Sequence, residues 1–437
     1  MDITRRDLLR YSLIGATGVA LGPLAGCGSD SSDKASSSSG GSSGEASTAD
    51  LALWYWGGGL SDKVVADAST HFPNIKVTAT QIGGNFKEKL LTTMTGGQGV
   101  PDITGIKGED IASFLSSADQ FVDLRELGAD SLASKYLAWK WKQGSTVDGK
   151  LIGFPIDIGP TALYSRPDIY EQAGLPTDPA AVGTAFATWE AFFDAGVELQ
   201  AKVPGTFMLT DAGGVFTLAI GQGAQRFVDP SNTFIGDGEH VRRAFELAAK
   251  TVELGIDGRL AGEDYNAALD SGTLPSIIGA AWLGLDIKSA AKASVGKWKV
   301  APGPGGASNI GGSFLAIPKS SSDPKAAFEV ITWLLSPENQ ARGFTDASLF
   351  PSTPEAYAMP ALTAPDPFFG GQATIEVFGP AAKSIPEFYE GPYDAAIAAP
   401  YYNEVTNIES GKSLEDAWAD AVSEGKKIAK KQGVKTS

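Results

Sequence analysis

Between residues 51 and 106 the sequence alternates two periodicities, and this narrows the fold more than any other feature. Leu51 to Trp56 (LALWYW) is a compact β-type run stopped by Gly57-Gly58-Gly59, and Ile75 to Thr80 alternates like a second strand. A helical stretch, residues 62–72, separates them. Residues 86–94 read as a second helix, and after a Gly-rich turn residues 101–106 read as a third, short strand. Strand, helix, strand, helix, strand is the pattern of a parallel sheet, whose ligands sit at the carboxyl ends of its strands. Those ends fall at residues 54–59, 83–86 and 107–110.

The chain has 437 residues, so two or three domains are expected, with ample length for a large core. Lys+Arg number 35 against 51 Asp+Glu, a net charge of −16, which argues against nucleic acid as a partner. With one cysteine, Cys27, neither an intrachain disulfide nor a cysteine-based zinc site is available. His71 and His240 are far apart in sequence, which excludes an H-E-x-x-H metal site. No metal or cofactor is expected.

The N-terminus has a basic head, Arg5, Arg6 and Arg10, followed by an almost uncharged apolar run, residues 11–25, too short to span a membrane comfortably. Arg5-Arg6 with Leu8-Leu9 resembles a twin-arginine export signal. Leu24-Ala25-Gly26-Cys27 resembles the bacterial lipoprotein box, which implies cleavage after residue 26 and a lipid on the Cys27 thiol. Residues 28–50 are rich in Ser and Gly and cannot bury enough apolar surface to order themselves. They read as a tether with a reach of ~25 Å, from roughly 5–6 Å × √n.

Further along, Thr188, Asp323-Pro324, Ser336-Pro337 and Ser413 mark helix starts. Lys426, Lys427, Lys430 and Lys431 read as complements to a helix dipole and a solvated face. Gly144 to Leu151 approaches a P-loop but has Leu151 where the magnesium-binding Ser/Thr belongs, so a turn at Asp148-Gly149 is the better reading. The Gly40 to Gly44 G-x-S-x-G lacks the strand and helix of a nucleophile elbow. No motif marks a glycosidase carboxylate pair, although the many acids do not exclude one.

Five stretches, in order, resemble the extracellular solute-binding proteins of sugar ABC importers, the class that includes maltodextrin-binding proteins. They are LALWYWGGG with Gly99-Val100-Pro101-Asp102-Ile103; Gly153-Phe154-Pro155-Ile156-Asp157 with Thr161 to Pro176 and Trp189-Glu190; Ile278 to Leu283; Gly311 to Lys319 with the helix behind it; and Phe350-Pro351-Ser352-Thr353. Tyr164-Ser165-Arg166 departs from the family's Y-Y-N, so no asparagine contact is carried over. The resemblance implies an α/β, two-lobed, periplasmic-binding-protein-like fold with hinge-linked, parallel-type sheets and no catalysis. On that reading residues 1–26 are the export signal and 27–50 the lipidated cysteine and tether. One lobe is 51–155 plus 316–348 and the other 156–315 plus 349–437. The implied partners are a carbohydrate, ABC permease subunits and a membrane reached through the N-terminal lipid, for a monomer on the outer face of the cytoplasmic membrane. The alternatives are another small solute on the same scaffold, or an anchored glycoside hydrolase.

A saccharide presents hydroxyls at its edge and a weakly apolar C–H face, so planar polar groups and aromatic rings are the side chains to look for. At the strand ends, Trp56 is a stacking platform or a core residue, with Trp54 assigned to the core. Asn85 and Phe86 offer an amide and an edge, and Asp110 a hydroxyl acceptor or a helix cap. Asp157 follows the hinge proline, with Tyr164 and Arg166 on the next strand. Arg166 offers a fork for two hydroxyls or pairs with an acid. Trp282 matches the family's pocket tryptophan. Gly311, Gly312 and Ser313 offer close approach of the backbone to the ligand.

Overall fold

The computed structural model describes residues 49–436; the export signal, Cys27 and nearly all of the tether lie outside the described residues. Nine strands form two sheets: β1 (Ala49–Tyr55), β2 (Ile75–Gln81), β3 (Ile103–Lys107), β4 (Phe154–Ile158), β5 (Thr161–Ser165), β6 (Ser276–Ala280), β7 (Lys299–Ala301), β8 (Ser313–Ala316) and β9 (Phe350–Pro351). The larger sheet runs β2-β1-β3-β8-β4-β9 and the smaller β6-β5-β7. As the sequence predicts, β1 pairs parallel with β2 and with β3, with helices Asp62–His71 and Phe86–Gly96 in the crossovers.

The parallel-type expectation stops there. β8 is antiparallel to both β3 and β4, and β5 is antiparallel to both β6 and β7. The reason is the route of the chain. β5 leads away from the junction of the two sheets, whereas β6 and β7 bring the chain back to it, so neighbours must run in opposite senses. The junction also lies slightly beyond the expected boundaries: all of β4 stays in the larger sheet, and β8 enters it at Ser313.

One face of the larger sheet buries Leu51, Leu53 and Tyr55 with Leu315 and the helix Pro324–Leu334. Strand alternation turns Trp54 and Trp56 to the other face, beside Phe86, Ile106 and Phe314. Trp54 is half-buried, packed against this second core with Lys89 over its ring at 5.5 Å. The smaller sheet supports separate cores, one of them around Tyr164, Trp298, Phe369 and Phe378.

The predicted helix starts are capped by their own side chains. Thr188 accepts from the Ala191 N–H, Asp323 from Ala326, Ser336 from Asn339 and Ser413 from Asp416. The Asp148-Gly149 turn is present, closed by the Thr146 N–H donating to the Lys150 carbonyl at 2.8 Å. Lys426 pairs with Asp237 and Lys427 with Glu424, at 2.9 Å each, in keeping with a solvated charged face. No described helix is long and apolar enough to cross a membrane.

Two chain crossings at the junction bond to each other. The Ile310 N–H donates to the Gly159 carbonyl at 2.9 Å, and the Gly159 N–H donates to Asn309 Oδ1 at 2.9 Å. A third crossing, β9, pairs with Asp157 and Ile158 of β4. A Cβ on Gly159 would drive into the Ile310 carbonyl oxygen. Gly159→Ala is therefore expected to destabilise the protein by about 2 kcal/mol or more, read as a lower urea midpoint at unchanged slope. A midpoint within error of the parent would contradict this packing.

Candidate functional site

β1, β3 and β4 end, and β8 begins, at the junction of the sheets, so side chains at these positions share one floor. Lys107 stands in register with Ser313, and Ser313 with Asp157. The turn after β3 is held from below: the Gly108 N–H donates to the Gly312 carbonyl at 2.6 Å. Gly312 has φ of 80°, and a Cβ there would lie 2.8 Å from the Asp157 carbonyl oxygen and 2.9 Å from Lys140 Nζ.

Trp56 sits at one end of this floor, half-buried. Its ring packs so closely over Gly59 and Gly105 that a Cβ at either position would strike it. Phe86 meets it edge-on at 5.1 Å, and Lys107 Nζ lies 5.6 Å from the ring centroid. Trp282, also half-buried, sits at the other end, just beyond β6. Its indole N–H donates to the Ile310 carbonyl at 3.1 Å, which clamps the ring to the chain crossings. One tryptophan therefore follows a strand of each sheet, and each ring lies against backbone.

The other expected residues divide. Phe86 is buried and backs Trp56, while Asn85 is exposed and spends its side-chain oxygen capping the helix Phe86–Gly96 through the Glu88 N–H. Asp110 makes no side-chain cap and instead pairs with Lys87 at 2.9 Å. Asp157 is 4% exposed on β4, in the field of Lys140. Gly312 and Ser313 are buried, and the space the glycine leaves is taken by Lys140 and the Asp157 backbone, which corrects the expectation of backbone approach to a ligand.

Tyr164 and Arg166 are not brought to the floor. Tyr164 is 0% exposed in the core of the smaller sheet, and its hydroxyl donates to the Ala280 and Ala281 carbonyls at 2.9 and 3.1 Å. Arg166 is 2% exposed, forks onto Asp168 through two 2.8 Å bonds and donates to the Leu269 carbonyl. Both expectations of ligand contact are corrected. The inner positions of β5 face a helical layer, so their polar groups are satisfied within the lobe.

Four charged residues reach the same region that sequence reasoning did not select. Lys140, on the helix Ala138–Gln143, is fully buried; it bonds Gln143 Oε1 at 3.1 Å and stands 3.6 Å over the Phe314 ring. Burial holds its ammonium well below the usual lysine range, against the pull of Asp157, Glu109 and Glu390. Glu109 is exposed, and desolvation and the neighbouring Asp110 push its carboxyl up. Glu390, in the irregular stretch between helices Ile375–Ser384 and Asp394–Glu409, is pushed up to about 7, mainly by burial. Arg226 turns its guanidinium onto the carbonyls of Ile220, Gly223 and Gln225 and stacks 4.5 Å from the Phe388 ring. Glu109 stood beside the selected Asp110, inside the strand end at residues 107–110, and was within reach of the strand-end argument. Glu390 lies in an E-F-Y-E-G-P-Y stretch whose aromatic residues gave the only signal, and Lys140 in W-K-W-K-Q gave none. Among the described residues, no group of three or more His, Cys, Asp or Glu side chains is placed to hold a metal ion.

Comparison with known proteins gives this arrangement a context. The profile of the bacterial extracellular solute-binding protein family matches residues 63–369. The chain belongs to that family. Proteins that it resembles include a lactose-binding protein of Rhizobium radiobacter, 26% identical over 381 residues, 80% of this chain and 87% of that protein. An arabinooligosaccharide-binding protein of Bacillus subtilis is 23% identical over 319 residues, 67% of this chain and 70% of that protein. A crystal structure of an extracellular solute-binding protein of family 1 superimposes with TM-score 0.82 at 30% identity, covering 87% of this chain and all of that one. The two-lobed α/β expectation is thereby met. The family's members are extracellular solute-binding proteins.

Glu390 carries a testable sign. Its carboxyl is raised from 4.5 to about 7, so across that window the folded state keeps a proton that the unfolded chain releases. Stability from this group is present below pH ~4.5 and is lost as pH rises through the folded value near 7. Glu390→Gln removes the penalty. Urea unfolding should show the variant gaining on the parent from pH 4.5 to 7, with the two converging below; a gap constant with pH would contradict this placement of Glu390.

Proposed function

We propose that this protein is the substrate-binding subunit of an ABC importer, capturing a carbohydrate, a di- or oligosaccharide, between its two lobes and delivering it to a membrane permease. The observation that carries the reading is the pair Trp56 and Trp282, one from each sheet, half-exposed and locked at opposite ends of one floor. Two aromatic platforms flanked by carboxylates suit a ligand with apolar ring faces and hydroxylated edges. The lactose-binding and arabinooligosaccharide-binding relatives point the same way.

The mechanism is capture by closure. The lobes exchange chain at the crossings 159–160, 302–312 and 349–353, and a ligand that touches both lobes favours the closed state by its differential affinity. Closed protein docks on the permease, and ATP hydrolysis belongs to other subunits. In this reading residues 1–26 direct export by the twin-arginine route, a lipid on Cys27 anchors the protein, as a monomer, to the outer face of the cytoplasmic membrane, and the tether lets the lobes reach the permease.

A saccharide at 100 times its dissociation constant should add ~2.7 kcal/mol of stability, seen as a thermal shift of several degrees. Amino acids, polyamines and phosphate should give none; a response from one of these and from no sugar would overturn the carbohydrate reading. Trp56→Ala and Trp282→Ala should each weaken saccharide binding by about tenfold or more, from lost ring contact worth ~1.5–3 kcal/mol, while Tyr164→Phe leaves it unchanged. Equal affinity in all three variants would contradict the assignment. Cys27→Ser should release the protein from the membrane fraction of expressing cells and remove the lipid from its mass spectrum; continued anchoring would contradict lipidation at Cys27.

A further inference from the structure

We propose, resting on the reading of capture by closure above, that Trp139 is a positioning residue, a pivot through which the lobe of the larger sheet holds the other lobe at the angle from which it closes. Trp139 and Trp141 lie on one short helix, Ala138–Gln143. In the chain this helix is flanked by Tyr136 and by Phe154 of β4, and both belong to the core of the larger sheet. Residues two apart on a helix are separated by about 200° around its axis, so the two indoles leave on nearly opposite sides. Trp141 packs back on its own lobe, 5.6 Å from the Tyr136 ring and 5.5 Å from that of Phe154. Trp139 does the reverse. It is 6% exposed and forms part of the core of the smaller sheet, with Tyr164, Trp298 and Phe378.

The contact is directional as well as apolar. The Trp139 indole N–H donates to the Ala382 carbonyl at 3.0 Å, and its ring lies 6.2 Å from that of Phe388. Ala382 sits on the helix Ile375–Ser384, whose Phe378 packs 5.8 Å from Tyr164 of β5, so the bond reaches an element seated on the smaller sheet. Lys142 pairs with Glu387 nearby, but both are exposed and the pair adds little. Between the two indoles Lys140 runs to the floor, where a Cβ on Gly312 would lie 2.9 Å from its Nζ. The helix is therefore seated against the strand ends themselves. The crossings join the lobes through continuous chain, whereas Trp139 joins them through a side chain that can turn about its one hydrogen bond as the crossings bend. Without that bond the lobes settle over a wider range of angles. Only part of that range leads to closure, and apparent affinity falls with the competent fraction.

The test compares two matched variants of the intact protein. Trp139→Phe keeps a ring in the core of the smaller sheet and removes the N–H donor; Trp141→Phe makes the same change on the side facing the larger sheet. Spin labels at L91C and V197C, with Cys27 replaced, report the distance between the helices Phe86–Gly96 and Trp189–Lys202. Without ligand, double electron–electron resonance should show a broader distribution for Trp139→Phe than for the parent, and no change for Trp141→Phe. In calorimetric titration with lactose, maltose and cellobiose, a sugar that binds the parent should bind Trp139→Phe more weakly by about threefold or more, and Trp141→Phe with parental affinity. If Trp139→Phe does not fold, Phe388→Leu, which loosens the Trp139 seat from the other lobe, takes its place with the same expectation. A distribution or an affinity that matches the parent, or the same broadening in both tryptophan variants, would overturn the pivot and leave the saccharide reading in place. Absence of binding of all three sugars by the parent would overturn the saccharide reading, while the ligand-free distributions still decide the pivot.

Discussion

The hydrogen bond from the Gly108 N–H to the Gly312 carbonyl, 2.6 Å long, joins the turn that ends β3 to the crossing that begins β8. It requires two backbones to touch, so neither position tolerates a side chain, and Gly312 must hold φ at 80°. From this contact the register of Lys107, Ser313 and Asp157 follows, and with it the alignment of the strand ends that form the cleft floor. The crossings extend the same constraint. Ile310 receives the Trp282 indole N–H and itself donates to Gly159, so a ring of the smaller sheet is set by the backbone leading into the larger one.

Around the floor the protein accepts electrostatic cost. Lys140 is enclosed beside Asp157 and the Phe314 ring, and Glu390 and Asp394 are both driven toward neutrality by burial. Buried charge of this kind does little for net stability.

Sequence patterning made the larger sheet's parallel half legible because hydrophobic periodicity and crossover helices are local signals. Helix starts were equally legible, since a cap such as Thr188 or Asp323 needs only the residues three positions on. The antiparallel half was hidden, because β4, β8 and β9 meet across more than a hundred residues and their direction depends on the route of the chain. At the junction, Trp56 was singled out for its place beside glycines at a strand end, and Trp282 for its match to the family's pocket tryptophan. Tyr164 and Arg166 were misplaced for a different reason. Sequence gives the residue type but not its face, and their polar groups had partners, Ala280 and Asp168, that only the folded lobe supplies. Lys140 was overlooked because a lysine in a short helix ordinarily faces water.

The central claim, that a saccharide bridges two lobes and draws them together about the crossings, is tested most directly by an interlobe distance. Leu91 and Val197 are 40% and 42% exposed, on the helices Phe86–Gly96 and Trp189–Lys202, one in each lobe, and suit spin labels introduced as L91C and V197C with Cys27 replaced. Double electron–electron resonance should show the distance distribution shortening when a saccharide that binds by calorimetry is added to saturation. A distribution unchanged at full occupancy would contradict capture by closure.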